Sequence, residues 1–171
     1  MPDPTEAPVR AHPSTATRLA LVVATFFGAG LAPVAPGTVG SLAALPLAWL
    51  MSRFSTPCQF FTTLAVTLVG MPAAAAAGRY LGVVDAKQIV IDEVAGILIT
   101  FMGVPFGWPT AIAGFLLFRL FDITKPWPAS YFDRKVRNGA GVVLDDVMAA
   151  LYARLCLAGL LVAAPTFFGR G

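Results

Sequence analysis

Five carboxylates at the ends of apolar segments are the residues here best suited to chemistry. Asp92 and Glu93 lead into the apolar stretch 94–100, Asp122 ends a helix predicted from Ala111, and Asp145 and Asp146 open the last predicted helix. Acids at the edge of a lipid-facing segment are costly and are usually paired, hydrated or functional. Taken singly, each has an ordinary structural explanation. Asp145 or Asp146 suits a helix first turn, where the dipole favours an anion. Glu93 can pair with Lys87, and Asp122 lies three residues from both Arg119 and Lys125, within reach of a helical ion pair. Jointly, five acids from three helix ends on one predicted face exceed what capping requires. Converging hard oxygens suit Mg²⁺, which keeps several waters and binds phosphate oxygens.

Cations lie close to these acids in the chain. Arg119 and Arg134 can grip phosphate bidentately, and Lys125 can act as a point charge; the same positions are also what topology alone predicts for basic residues at a cytoplasmic helix end. A glycine-rich stretch runs from Gly28 to Ser41, in which Pro36 and Gly37 break the helix and Thr38 or Ser41 can cap the next one. Backbone N–H groups of Gly37, Thr38, Gly40 and Ser41 are thereby candidates to hold an anion, although no Gly-Lys-Ser/Thr follows to make a P-loop. Gly141, in the Asn138-Gly-Ala-Gly141 turn that delivers Asp145 and Asp146, is a second candidate of the same kind.

Absences narrow the mechanism. The only histidine is His12, in a polar tail, so a histidine nucleophile is excluded. Neither Cys58 nor Cys156 has an arginine six residues later, which removes the cysteine-phosphatase loop. No Asp-x-Asp pair and no Asp-Gly-x-x-Ala-Arg signature occurs. Metal-activated water is the route left to a phosphatase.

The elements that must position these groups belong to a membrane. Of 171 residues, 57% are hydrophobic and 12% charged, against about 25% charged in soluble chains. A lipid-exposed exterior removes the need for polar cover. The net charge of +3 is spread in short clusters, which gives nucleic acid binding no support and fits anionic headgroups better. Residues 1–17 read as a disordered tail, and 18–171 as one membrane-embedded domain. Arg10 and Arg18 before the apolar run 19–27 resemble a signal peptide, but the Gly/Pro segment that follows argues for a structural run instead.

Apolar runs at 19–31, 42–51, 58–77, 94–104, 111–121 and 147–168 predict helices; the third and last approach the ~20 residues needed to cross hydrocarbon. Lys and Arg concentrate in the polar segments 79–93 and 122–146, placing both, with the N-terminus, on the cytoplasmic side. An even number of crossings must separate the tail from 79–93. The first apolar run is therefore expected to be re-entrant or interfacial, which brings residues 32–41 to the face that holds the acids. Trp108 and Trp127 read as interfacial aromatics. The expected fold is an all-α, multi-pass helical membrane bundle with short, partly re-entrant helices.

Six motifs in order, Ala32-Pro-Val-Ala-Pro-Gly-Thr-Val-Gly-Ser41, Ile91-Asp-Glu93, Phe118-Arg-Leu-Phe-Asp122, Lys125-Pro-Trp-Pro128, Phe132-Asp-Arg134 and Gly139-Ala-Gly-Val-Val-Leu-Asp-Asp146, together resemble the bacterial phosphatidylglycerophosphatase A family. The likeness runs from about Phe26 to the last helix. It implies a Mg²⁺-dependent hydrolase of the bacterial inner membrane that converts phosphatidylglycerophosphate to phosphatidylglycerol and inorganic phosphate at the cytoplasmic face. It also implies helices gathered around a central one. Two departures stand out: Arg137-Asn138 replaces a common His-Gly pair, and Asp145-Asp-Val-Met-Ala-Ala150 replaces a Gly-containing start of the last helix. On this reading Asp92, Glu93, Asp145 and Asp146 hold one or two Mg²⁺ ions, with Asp122 as a further ligand or an acid behind them. Lys125, Arg134 and Arg119 meet phosphoryl charge, the Gly37–Ser41 backbone cradles it, and Asp133 or Asp122 positions water or protonates the leaving oxygen. Competing readings are a small transporter or channel that uses the same carboxylates, and a non-catalytic scaffold. Transport would place the acids near the membrane midplane.

Overall fold

A computed structural model of the chain describes residues 12–168, and among these it is helical throughout, with no strand. The tail expected at 1–17 lies outside the described residues as far as 11; its last three residues are already helical. The first helix, α1, is Thr15–Ala24, started by Ser14, whose Oγ accepts the Thr17 N–H at 3.2 Å. Ser-x-x-Thr at that point is an N-cap, a stronger local signal than the polar composition around it.

The apolar run 19–31 does not form one helix. It breaks after Ala24, passes through positive φ at Phe26, Phe27 and Gly28, and makes a short 3₁₀ turn at Ala29–Leu31. The chain then enters α2, Pro36–Met51, with Pro36 in its first turn, where a missing N–H costs nothing. The Val90 N–H donates to the Ala24 carbonyl at 2.8 Å, so this reversal is tied to the residue preceding the fourth helix. Residues 32–41 thereby reach the end of the bundle that holds the acids, as the parity of crossings predicts.

Helix α3 is Thr56–Leu81, with Pro57 in its first turn and Gly82 at φ 79° ending it. Helix α4 is Ile91–Phe101, α5 is Trp108–Thr124, α6 is Ala129–Lys135 and α7 is Gly139–Ala163. Two of these correct the sequence reading. Residues 129–135 form a helix where a polar linker was expected. The final helix opens at Gly139 rather than at Asp145, because the Asn138 side chain accepts the Ala140 and Gly141 N–H groups at 3.0 and 3.1 Å. Asp145 and Asp146 consequently sit in its second turn.

Helix α4 is the centre of the bundle. Nine of its eleven residues are buried, and α2, α3, α5 and α7 all pack on it, with α1 against α3 and α6 against α7. Close approach depends on small residues. A Cβ at Gly96 would collide with the ring of Phe118, which is fully buried. Gly96→Ala is therefore expected to destabilise by about 1–3 kcal/mol through overpacking, read as a lower melting temperature in detergent; an unchanged value would mean that the α4–α5 contact is loose.

Helices α3 and α7, with 26 and 25 residues, are long and apolar enough to cross a membrane; at ~1.5 Å per residue each exceeds the ~30 Å of hydrocarbon. Helix α4, at eleven residues, is not. The outer surface is apolar, with Phe61, Leu68, Leu116, Leu155 and Val162 all more than half exposed. Such continuous apolar exposure suits lipid and not water.

Candidate active site

One end of the bundle gathers a polar site from five elements, four of which supply its charged residues. Asp92 and Glu93 occupy the first turn of α4, and Arg119 and Asp122 the last turns of α5. Lys125 terminates α5 in a left-handed conformation at φ 42°, and Asp145 and Asp146 come from α7. They line a cavity of about 330 Å³ together with Pro36 and Gly37 of α2 and with Asp85, Lys87 and Ile89 of the α3–α4 linker.

Within it, one oxygen from each of Asp92, Glu93 and Asp146 lies within 4.8 Å of the others. Asp92 Oδ1, Glu93 Oε2 and Asp146 Oδ2 are buried and have no hydrogen-bond partner. Unpartnered buried carboxylate oxygens are expensive, and three acids that carry them in one cavity are more so. Burial first, then the charges of Glu93 and Asp146, push the Asp92 carboxyl well above the ordinary carboxylate range. Burial raises Glu93 as well, against the opposing pull of Asp92 and Arg119. The donor set, three carboxylates with oxygens to spare, is what a hard divalent cation takes.

Charge leads to the same conclusion. The cavity carries six carboxylates, from Asp85, Asp92, Glu93, Asp122, Asp145 and Asp146, against three cations, Lys87, Arg119 and Lys125. With these acids ionised, an anion entering it would be repelled unless divalent charge were already present.

Two cations are braced by the remaining acids. The Arg119 guanidinium meets Asp122 at 2.5 Å and Glu93 at 3.6 Å, and the same Nη1 donates to Ser41 Oγ at 3.5 Å. Lys125 Nζ donates to Asp133 at 2.6 Å and to Asp145 at 2.5 Å. Burial works against the Lys125 charge, but these two bonds outweigh it and hold the amine above its ordinary value. Asp145 thus faces Lys125, with its other oxygen accepting the Asp146 N–H at 3.0 Å. It stands apart from the three-carboxylate group, although all four acids had been placed together as ligands from sequence.

The glycine stretch divides in the same way. Gly37 lines the cavity, and a Cβ there would strike the Glu93 carboxylate, so glycine lets α4 approach the N-terminus of α2. Gly40 instead makes room for Val90, and Ser41 Oγ donates back to the Gly37 carbonyl at 2.8 Å. Thr38 follows Gly37 in the first turn of α2 but is not part of the cavity wall. The Gly141 N–H is taken by Asn138, and its Cα abuts the Val136 carbonyl; its smallness serves packing. Arg134 is exposed and outside the cavity lining. Asp85 and Lys87 are site residues that the sequence reading did not single out. Their only signal is a place in the polar segment that runs into Asp92.

A family model described as phosphatidylglycerophosphatase A matches residues 22–161, a span that contains every residue of the cavity. The chain is 38% identical to phosphatidylglycerophosphatase A of Escherichia coli K12 over 131 residues, covering 76% of each chain. It is 41% identical to the Haemophilus influenzae protein of the same name over 134 residues, 77% of this chain and 82% of the relative. A Bacteroides thetaiotaomicron protein provisionally named a phosphatidylinositol-3-phosphatase is 37% identical over 153 residues, 82% of this chain and 92% of its own. No solved structure matches. With a family match across the whole helical core and relatives aligned over most of their lengths, the chain belongs to the phosphatidylglycerophosphatase A family.

Proposed function

We propose that this chain is a Mg²⁺-dependent lipid phosphatase that hydrolyses the terminal phosphomonoester of phosphatidylglycerophosphate. The products are phosphatidylglycerol and inorganic phosphate, and the protein is integral to the bacterial inner membrane. The observation that carries the reading is the group of Asp92, Glu93 and Asp146, buried together with unpartnered oxygens beside two braced cations. The family supports a phosphatidylglycerophosphate substrate. A cytoplasmic position for the acid site is supported by Lys87, Lys125, Arg134, Lys135 and Arg137, all of which flank it in the chain. Clustering at one end of the bundle, rather than halfway along it, favours hydrolysis over ion passage.

Asp92, Glu93 and Asp146 would hold the cation. When bound, it offsets the excess negative charge, anchors phosphate oxygens and makes water a better nucleophile. The protein's own groups supply the rest. Lys125, kept charged by Asp133 and Asp145, meets the charge that develops on the phosphoryl oxygens. Arg119, fixed by Asp122 and Glu93, orients a phosphate oxygen. The first-turn N–H groups of Gly37 and Thr38 lack intrahelical partners and can donate to a further oxygen. Asp133, bonded to Lys125 at the exposed rim, braces that amine, and the departing glycerol oxygen takes its proton from solvent water.

The test is phosphate release from a panel containing phosphatidylglycerophosphate, phosphatidic acid and a phosphoinositide monoester. Release with Mg²⁺, loss in EDTA and recovery on adding Mg²⁺ are expected, with phosphatidylglycerophosphate fastest. No release from any lipid by well-folded protein in Mg²⁺ would overturn the reading.

Metal removal also has a stability signature. With Asp92 and Glu93 raised, the metal-free folded protein keeps protons that the unfolded chain has already lost. Its stability accordingly falls as pH climbs from the ordinary carboxylate range, about 4, toward neutrality. Mg²⁺ binding needs ionised acids, so its stabilisation should grow across the same window, reaching about 2.7 kcal/mol at 100 times the dissociation constant. Melting curves with and without Mg²⁺ between pH 5 and pH 8 measure both trends; parallel curves would contradict the ligand assignment.

A further inference from the structure

The acid cavity accounts for a phosphate but not for the lipid behind it. We propose that one acyl chain of the phospholipid substrate lies in the crevice between α2 and α5, an inference that rests on the lipid phosphatase reading. An apolar groove of about 600 Å³ occupies this crevice, walled by Leu42, Leu45 and Trp49 on one side and by Phe106, Trp108 and Ala111 on the other.

The argument is one of continuity. Leu42, Leu45, Pro46 and Trp49 follow the i, i+3, i+4, i+7 spacing of a single helix face, four residues on from Thr38. Ala111, Phe115 and Arg119 succeed one another at i, i+4 and i+8 on α5. The two helices that wall the groove are therefore the two that carry Gly37, and Arg119 and Asp122, into the acid cavity. They meet there through the Arg119–Ser41 contact of 3.5 Å. Measured along α2 from Gly37, Leu42 lies about 8 Å away and Trp49 about 18 Å away. The first interval fits a glycerol backbone and the rest a hydrocarbon chain. No charged residue occurs in 37–49 or in 108–118, so a chain leaving the phosphate site by this route meets only apolar walls. A second apolar groove, lined by Phe26, Val66 and Val69, opens between α1 and α3, over Leu47 and Ile91; neither α1 nor α3 places a residue in the acid cavity.

Photocrosslinking decides the occupant independently of turnover. The full-length protein in detergent with Mg²⁺ is exposed to a non-hydrolysable diacyl phosphonate lipid bearing a diazirine midway along one chain. A second sample receives phosphatidylcholine with the same labelled chain. Crosslinks of the phosphonate probe to 42–49 and 108–115, reduced several-fold by excess unlabelled phosphonate lipid, support the assignment. Equal labelling by both probes, or labelling concentrated at 66–69, overturns it. Leu45→Trp and the more exposed Leu42→Trp provide the kinetic arm. Filling the groove should lower the ratio of kcat/KM for long-chain over short-chain phosphomonoester lipid by about tenfold or more, and an unchanged ratio in both variants counts against the groove. If wild-type protein releases no phosphate from any lipid, the phosphatase reading fails, while the crosslinking map still reports which groove takes the chain.

Discussion

Asp146→Asn is expected to lower phosphate release by well over the 10–100-fold that supporting groups around a metal typically contribute (about two orders of magnitude at least). The substitution is close to isosteric, but it exchanges a charged oxygen for an amide in the one group of acids whose oxygens lie within 4.8 Å of one another. The same variant should be no less stable than wild type in EDTA. There it removes one of several buried carboxylates that lack partners and repel each other. It should also lose the melting-temperature rise that Mg²⁺ gives the wild type. This opposition of signs, activity lost with metal-free stability kept or gained, separates a ligand from a merely structural aspartate, whose loss would lower both. Near-wild-type release in Mg²⁺ would remove Asp146 from the ligand set.

Lys125→Met should be the next most damaging change, with kcat reduced by about 10²–10³-fold, the usual cost of losing one preorganised group at developing charge. Methionine retains the length and the apolar stem while deleting the charge. Stability should also suffer, because Asp145 is 5% exposed and would lose its cation; stranding a buried charge in this way costs about 3–5 kcal/mol. Lys125→Arg keeps the charge with a different shape and should recover stability more fully than rate. If both recover together, Lys125 serves mainly to hold Asp145. The charge on Lys125 should be insensitive to pH over the neutral range. A raised amine gives its full stabilisation below the ordinary lysine value of about 10.4 and loses it only as pH rises through the higher folded value. An alkaline fall in stability beginning near pH 8 would therefore need another group.

The chain's class and much of its site are written locally. Composition and the length of the apolar runs point to a helical bundle suited to lipid, because so few charges leave much of its surface apolar. Helix ends were legible at Pro36, where a proline and a glycine together mark a break. They were misread at Ser14 and Asn138, where a single capping side chain outweighs the surrounding composition. That acids from separate helix ends share one face followed from topology and from the motifs.

What tertiary structure alone decided is the division of labour among those acids. Asp92, Glu93 and Asp146 are drawn into one group, while Asp145, adjacent to Asp146 in the chain, turns instead to Lys125, which Asp133 also holds. Asp85 and Lys87 join the cavity through a linker with no distinguishing pattern. The physical reason is range. Helix formation, capping and amphipathic period depend on neighbours within a turn or two. The spacing between carboxylates on different helices depends on how closely their backbones pack, set here by glycines against Glu93, Val90 and Phe118 on other helices.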